Sequence, residues 1–203
     1  NRHTVRALLM RLGCEVLDLG LVRDDPILLQ RAFTKAAAQA DAVITSGGVS
    51  VGEADFTKTM MKQLGDVAFW KIAMRPGRPM AVGRIMSDAR ACVLFGLPGN
   101  PVSALVCGMV FLKPALNVML GKGKAPLDTQ NAILENDLPQ NGPREHYMRA
   151  KMRFVNGTQT VEPFGQQDSS LLTILSKANA LLVRPANDKA KQKGSSVKVI
   201  PLK

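Results

Sequence analysis

Ala42-Val43-Ile44-Thr45-Ser46-Gly47-Gly48-Val49-Ser50-Val51-Gly52-Glu53-Ala54-Asp55 is the stretch on which the fold turns. Ala42 to Thr45 reads as a short buried strand. Ser46 to Asp55 is glycine-rich. Phe56 to Leu64 then reads as a helix with Met60, Met61 and Leu64 facing inward. A buried strand that runs through a turn into a helix is the building unit of an α/β sheet. Glycines let the backbone approach a ligand closely, and backbone N–H groups at such a turn can receive an anion. A glycine-rich turn alone is equally a structural feature. Asp55 reads equally as a helix N-cap and as a carboxylate that binds a metal ion or positions a reacting group.

Upstream, Asn1 is placed to cap a helix carrying Val5, Leu8, Leu9 and Leu12 on one face, ended by Gly13. Glu15 to Leu19 reads as a strand. Asp25-Pro26 is a cap followed by proline at the first helical position, and Leu29, Phe33, Ala36 and Ala40 continue at helical spacing. Downstream, Val67 to Ala73, Met80 to Ile85 and Cys92 to Leu97 read as strands. Asn100-Pro101 caps a long apolar helix to about Leu120, with a bend expected near Pro114. Helices alternating with short apolar strands predict a three-layer α/β domain with mixed sheet direction.

The character changes near Gly121. Residues 131–138, 146–155, 158–163, 180–184 and 196–200 are short β-like runs, with one helix over 171–178. They predict a small antiparallel barrel or sandwich. The expected division is an α/β domain over 1–122 and a β-barrel domain over 123–203.

Lysine and arginine number 27 against 16 acids, a net charge of +11, which points to an anionic partner. One Trp and one Tyr give little stacking surface for nucleic acid, and no zinc-finger or RNA-binding signature is present. A small, highly charged anion fits as well. Cys14, Cys92 and Cys107 are odd in number, widely spaced and set among apolar residues. That suits buried free thiols in a reducing cytosol, not a disulfide framework or metal site. No apolar run reaches the roughly 20 residues of a membrane span. The sequence opens without a methionine, straight into a helical pattern, so further residues are expected upstream.

Two more turns carry chemistry. Phe69-Trp70-Lys71 leads to Arg75-Pro76-Gly77-Arg78-Pro79, whose prolines stiffen a turn bearing two guanidiniums. Arg offers a planar donor fork that suits a multivalent oxyanion, although a solvent-exposed basic turn reads the same way. Leu97-Pro98-Gly99-Asn100-Pro101-Val102-Ser103 is another strand-to-helix turn, where Ser103 adds a hydroxyl; its plain reading is a well-made cap. Ligands of open α/β sheets collect at the C-terminal ends of strands. Glycine turns and a basic turn on one such edge form a converging anion site.

Together, Ser46 to Asp55, Thr57-Lys58-Thr59, Phe69-Trp70-Lys71, the Pro-Gly-Arg-Pro turn and Leu97 to Ser103 resemble the molybdopterin molybdenumtransferases, the family that includes the C-terminal enzyme domain of gephyrin. The resemblance is strong to about Leu120 and looser beyond. Molybdopterin adenylyltransferases and a competence-type nucleotide-processing family share the fold, and their glycine loops continue differently. The resemblance implies a reaction of adenylyl-molybdopterin with molybdate that yields molybdenum cofactor and AMP, with Mg²⁺. It implies Asp55 and Asp24 as catalytic acidic residues and metal ligands, with Lys71 and Arg75 as catalytic cationic residues. Ser46, Gly47, Gly48, Ser50, Arg78, Pro98, Gly99, Asn100 and Ser103 are the implied substrate-binding residues, joined from the barrel domain by Arg149 and Ser169. Asp24 reads equally as first-turn charge favoured by a helix dipole. Arg75 stands where lysine is common in the family. The resemblance further implies a cytoplasmic homodimer whose cleft uses an N-terminal domain of its partner. On that ground this stretch by itself is expected to bind without turnover. The competing readings are a pterin adenylyltransferase and a non-enzymatic binding or scaffold module, nucleic-acid binding included.

Overall fold

In the computed structural model the described residues are 1–48, 56–87, 90–168 and 172–202. The chain divides into two compact units. The first comprises Asn1–Ile72 and Gly77–Met119, the second Ala73–Pro76 and Leu120–Lys203.

The first unit is built on a four-stranded sheet in the order β1 (Ala42–Ser46), β5 (Arg90–Leu97), β4 (Pro79–Ser87), β2 (Gly65–Lys71). β1 and β5 run parallel, and β4 is antiparallel to both its neighbours, the mixed direction expected. Alternation along the strands sends Val43, Val67, Ala81, Ile85, Cys92 and Leu94 to one face. There they meet Leu29, Phe33 and Ala37 of α2 (Pro26–Gln39) and Met61 of α3 (Phe56–Leu64). Met61 is fully buried, with Met60 and Leu64 packed beside it. Phe95 and Leu97, equally buried, belong to the opposite pleat. α4 (Pro101–Cys107) packs on β5, and α1 (Arg2–Leu12) packs on α4 and α5 (Lys113–Met119). The three layers are therefore helix, sheet and helix.

Several local expectations need correction. Glu15 to Leu19 forms no strand; Leu17 and Leu19 are exposed, and the Asp18 carboxylate is taken by Arg2 and by the Gly20 N–H. An extended segment becomes a strand only when a neighbour takes its N–H and C=O groups, and no described strand lies beside this one. Asn1 sits at the N-cap of α1 by its backbone, but its side chain does not cap the helix. The apolar helix continues from Pro101 to Met119, with a π-helical turn at Gly108–Leu112 two residues before Pro114. Gly108 leaves room there for the Leu8 side chain, which a Cβ would approach to 2.8 Å. Cys14 is half-buried, whereas Cys92 and Cys107 are buried. The stretch Pro101–Met119 is apolar and long enough to cross a membrane by length and composition. Yet 56% of it is buried, with Val102, Val106 and Leu112 in the core.

The second unit closes five strands into a ring: β7 (Glu145–Val155), β8 (Thr158–Pro163), β6 (Gln130–Leu134), β10 (Ser196–Pro201), β9 (Ala180–Arg184) and back to β7. Closure leaves the ring without an open edge. Leu134, Ala150, Val161, Ala180, Leu182 and Val199 fill it. It is not wholly antiparallel, because β6 and β8 pair in parallel. The short β3 (Met74–Arg75) pairs with β7 outside the ring, and α6 (Leu172–Lys177) is the expected single helix.

Candidate active site

The strand registers gather the turns on one edge of the four-stranded sheet. Thr45, Gly96, Ala81 and Phe69 form one row across it. Two residues further on, the chain has reached Gly47, Pro98, Pro79 and Lys71, and Lys71 pairs with Pro79. β1, β5 and β2 all end here and β4 begins here. Three strand spacings put the two ends of this row roughly 14 Å apart, a span suited to an extended ligand.

Local contacts draw the turns closer. The Gly47 N–H donates to the Leu97 carbonyl at 3.1 Å, and the Ser46 hydroxyl to the Pro98 carbonyl at 3.2 Å. A Cβ on Gly99 would lie 3.6 Å from the Gly47 Cα, so the two glycine turns touch backbone to backbone. Gly77, at φ +94°, lies on the first helical turns of α4. A Cβ there would come within 2.6 Å of the Cys107 Sγ and 3.5 Å of the Ser103 Cβ. The Ile72 N–H closes the loop by donating to the Arg78 carbonyl at 2.8 Å. Gly47, Gly48, Arg78, Pro98, Gly99, Asn100 and Ser103 thus share one neighbourhood. Lys71 and Arg78 are exposed and have no carboxylate partner among the described residues. Ser103 is buried beneath the Gly77 turn.

Asn100 caps α4 through its side chain. Its Oδ1 accepts from the N–H groups of Val102 and Ser103, both at 3.1 Å. Those two donors are therefore already satisfied and do not face an anion, contrary to the exposed N–H groups expected at this helix start. Asp24 is exposed just ahead of Asp25, whose side chain caps α2 by accepting from the Leu28 N–H at 2.9 Å. Asp55, Ser50 and Ser169 lie outside the described residues. No cluster of three or more metal-ligating side chains occurs among those described.

Arg78 lies in the first unit, directly after Gly77. Arg75 belongs to the second unit, on β3, and donates to the Asn141 Oδ1 at 3.0 Å; burial and the charges of Arg144 and Arg184 lower its pKa. On its own strand pairing Arg75 faces His146, which faces Arg184 in turn. His146 is buried, and that burial, reinforced by the surrounding arginines, lowers its pKa to about 4. Arg184 is neutralised by Asp188 at 2.6 Å. Arg149 is 1% exposed. It donates from Nη1 to the Asp168 carbonyl at 2.8 Å, and its backbone N–H donates to the Gln167 Oε1 at 3.0 Å. Burial lowers its pKa, opposed by Asp168. The segment that grips Arg149 leads directly into Ser169. Sequence reasoning missed Gln167, His146 and Asn141. A glutamine or asparagine in a polar loop and a histidine inside a strand carry no local signal; strand pairing sets the surroundings of His146, and long-range side-chain hydrogen bonds set those of Gln167 and Asn141.

Both units match known families. Residues 1–118 match the family described as a probable molybdopterin binding domain, and residues 131–202 match the MoeA C-terminal region (domain IV). The chain belongs to the molybdopterin molybdenumtransferase family. A molybdopterin molybdenumtransferase of Haemophilus influenzae is 42% identical over 186 residues, covering 90% of this chain and 45% of the relative. That of Bacillus subtilis is 33% identical over 201 residues, covering 98% and 46%. The chain thus spans about half the length of the curated relatives it matches. Among solved structures, the molybdopterin biosynthesis moea protein from Pyrococcus horikosii matches with a TM-score of 0.76 at 28% identity, covering 98% of this chain and 48% of that one. The first matched segment ends at residue 118 and the second begins at residue 131, whereas Ala73–Pro76 belong to the second compact unit although they lie within the first matched segment.

Proposed function

We propose that the full-length protein transfers molybdenum from molybdate to molybdopterin, using adenylyl-molybdopterin and releasing AMP. The observation that carries this reading is the edge row of Gly47, Pro98, Pro79 and Lys71, with Arg78 beside it. Glycine backbone admits the ligand closely, and Lys71 and Arg78, which have no carboxylate partner among the described residues, offset the cost of desolvating a polyanion. Ser46, Gly48, Gly99, Asn100 and Ser103 line the same turns, and Ser50 is proposed to bind substrate with them. Arg149 and Ser169 serve molybdate, with Arg75 supplying further positive charge. Lys71 and Arg78 bind and orient phosphate oxygens, where fixed cations gain most as charge develops.

Asp24 and Asp55 would hold Mg²⁺. Two carboxylates would suffice in this reading, because Mg²⁺ is usually bound by one or two carboxylates together with substrate phosphates and a three-acid cluster is not needed. When bound, it would polarise a phosphate oxygen of the adenylyl linkage. The whole protein is proposed to act as a cytoplasmic homodimer on small anions, with neither nucleic acid nor a membrane as partner. The 203 residues alone are expected to bind without turnover, and the functional boundary is placed between 122 and 123.

The test supplies full-length protein with adenylyl-molybdopterin, molybdate and Mg²⁺, and measures AMP release. Arg78→Ala and Asp55→Asn are expected to reduce it at least roughly tenfold, the loss of one charge-assisted contact. AMP release unaltered in both variants would refute the site. Adenylylated pterin formed from ATP without molybdate would reassign the reaction to an adenylyltransferase. Retention of nucleic acid that weakens steeply with salt would favour a binding module.

A further inference from the structure

Asn1 holds the N-cap position of α1, where its carbonyl accepts from the Val5 N–H at 2.9 Å. Asparagine is among the best N-capping residues, yet this side chain makes no capping bond. Its Nδ2 instead reaches the Ser46 Oγ and the Gly99 carbonyl, each at 2.6 Å. These partners lie 45 and 98 residues away along the chain, one in each glycine turn of the sheet edge. A carbonyl can only accept, so the Gly99 contact fixes which end of the amide faces the turns. The other end, Oδ1, is buried with no partner among the described residues. Buried acceptors without a donor are uncommon in folded proteins and costly to keep.

We propose that Asn1 is a positioning residue that clamps the Ser46–Gly48 and Pro98–Gly99 turns together, and that its Oδ1 accepts a hydrogen bond from an N–H or O–H of the bound organic ligand. The second half rests on the pterin-nucleotide reading of the site. A deprotonated oxyanion such as molybdate offers only lone pairs and cannot satisfy this oxygen. A pterin or adenine amino group, or a ribose hydroxyl, can.

The test uses the full-length protein and two substitutions. Asn1→Leu keeps the side-chain volume and removes donor and acceptor alike. Asn1→Ser retains a good helix cap but is too short to reach both turns, so α1 stays formed. Without ligand, amide hydrogen exchange at Gly47 is expected to accelerate roughly tenfold in Asn1→Ser while the Leu94 amide in β5 is unchanged. Unchanged exchange at Gly47 overturns the clamp. With AMP and with molybdopterin as separate titrants, both variants are expected to lose roughly tenfold in affinity for the ligand that donates to Oδ1. A loss for AMP alone assigns the donor to the nucleotide, and a loss for molybdopterin alone assigns it to the pterin. Equal affinities of wild type and variants for both ligands overturn the acceptor role while leaving the pterin-nucleotide reading intact. Wild-type protein that binds neither ligand overturns that reading and the acceptor role together.

Discussion

Gly77→Ala is expected to destabilise the first unit by roughly 2–5 kcal/mol, the sum of two separable costs. The first is conformational. Gly77 sits at φ +94°, where an L side chain crowds its own backbone at about 1–2 kcal/mol. The second is steric. The new methyl would stand 2.6 Å from the Cys107 Sγ, well inside contact distance, and Cys107 is 1% exposed with nowhere to retreat. Overpacking of that kind costs about 1–3 kcal/mol. Urea denaturation of four proteins separates the costs: wild type, Gly77→Ala, Cys107→Ala and the double variant. Removing the sulfur removes the clash but not the backbone strain. The glycine substitution should therefore cost only about 1–2 kcal/mol in the Cys107→Ala background. The difference between backgrounds is the coupling energy, expected at roughly 1–3 kcal/mol. An equal cost in both backgrounds would refute the packing of the Arg78 turn onto α4. With it would go the argument that this turn and the Ser103 turn share one site.

Three further outcomes follow from particular contacts. Asn100→Ala removes an acceptor from the Val102 and Ser103 N–H groups, both buried, and should cost about 1–2 kcal/mol by thermal unfolding; a change below the noise would mean that the cap is not made. Arg149→Met deletes the guanidinium contacts to the Gln167 Oε1 and the Asp168 carbonyl, leaving the backbone bond to Gln167, and should lower barrel stability by roughly 1.5–3 kcal/mol by calorimetry, with loss of the proposed molybdate binding. His146 is held neutral by burial, with a folded pKa of about 4 against 6.5. The unfolded chain therefore takes up a proton first as pH falls. Stability is complete above pH 6.5 and drops toward pH 4, by up to roughly 3 kcal/mol, then levels off. His146→Gln should flatten that slope in urea titrations between pH 7 and pH 4, and an unaltered slope would assign the acid sensitivity elsewhere.

Much of the fold was legible because hydrophobic periodicity is a local property. Phe33 and Leu29 recur at helical spacing and both reach the core; Cys92, Leu94 and Gly96 alternate with Val93, Phe95 and Leu97 as a strand must. Residues 158–163 and 180–184 are strands over the same bounds that their composition predicts. What misled was pattern without a neighbour. Glu15 to Leu19 has strand composition but no described partner for its backbone. Arg75-Pro76-Gly77-Arg78 reads as one stiff turn, and only strand pairing reveals that Met74–Arg75 also joins β7.

The candidate site shows the same limit. By themselves the residues determined that glycine turns follow strands, that excess cations point to an anion, and that the motif order matches a molybdenum-handling family; of the two strands before the Gly47 and Gly99 turns only β5 is largely buried. Only the tertiary structure decided that the Gly47, Gly77 and Gly99 turns adjoin. It also decided that Asn1 binds across 45 and 98 residues rather than capping its own helix, and that Gln167 grips a buried Arg149. Propensity and periodicity act within one or two turns of chain. Sheet register and side-chain reach act between segments, and a sequence states them only once it has folded.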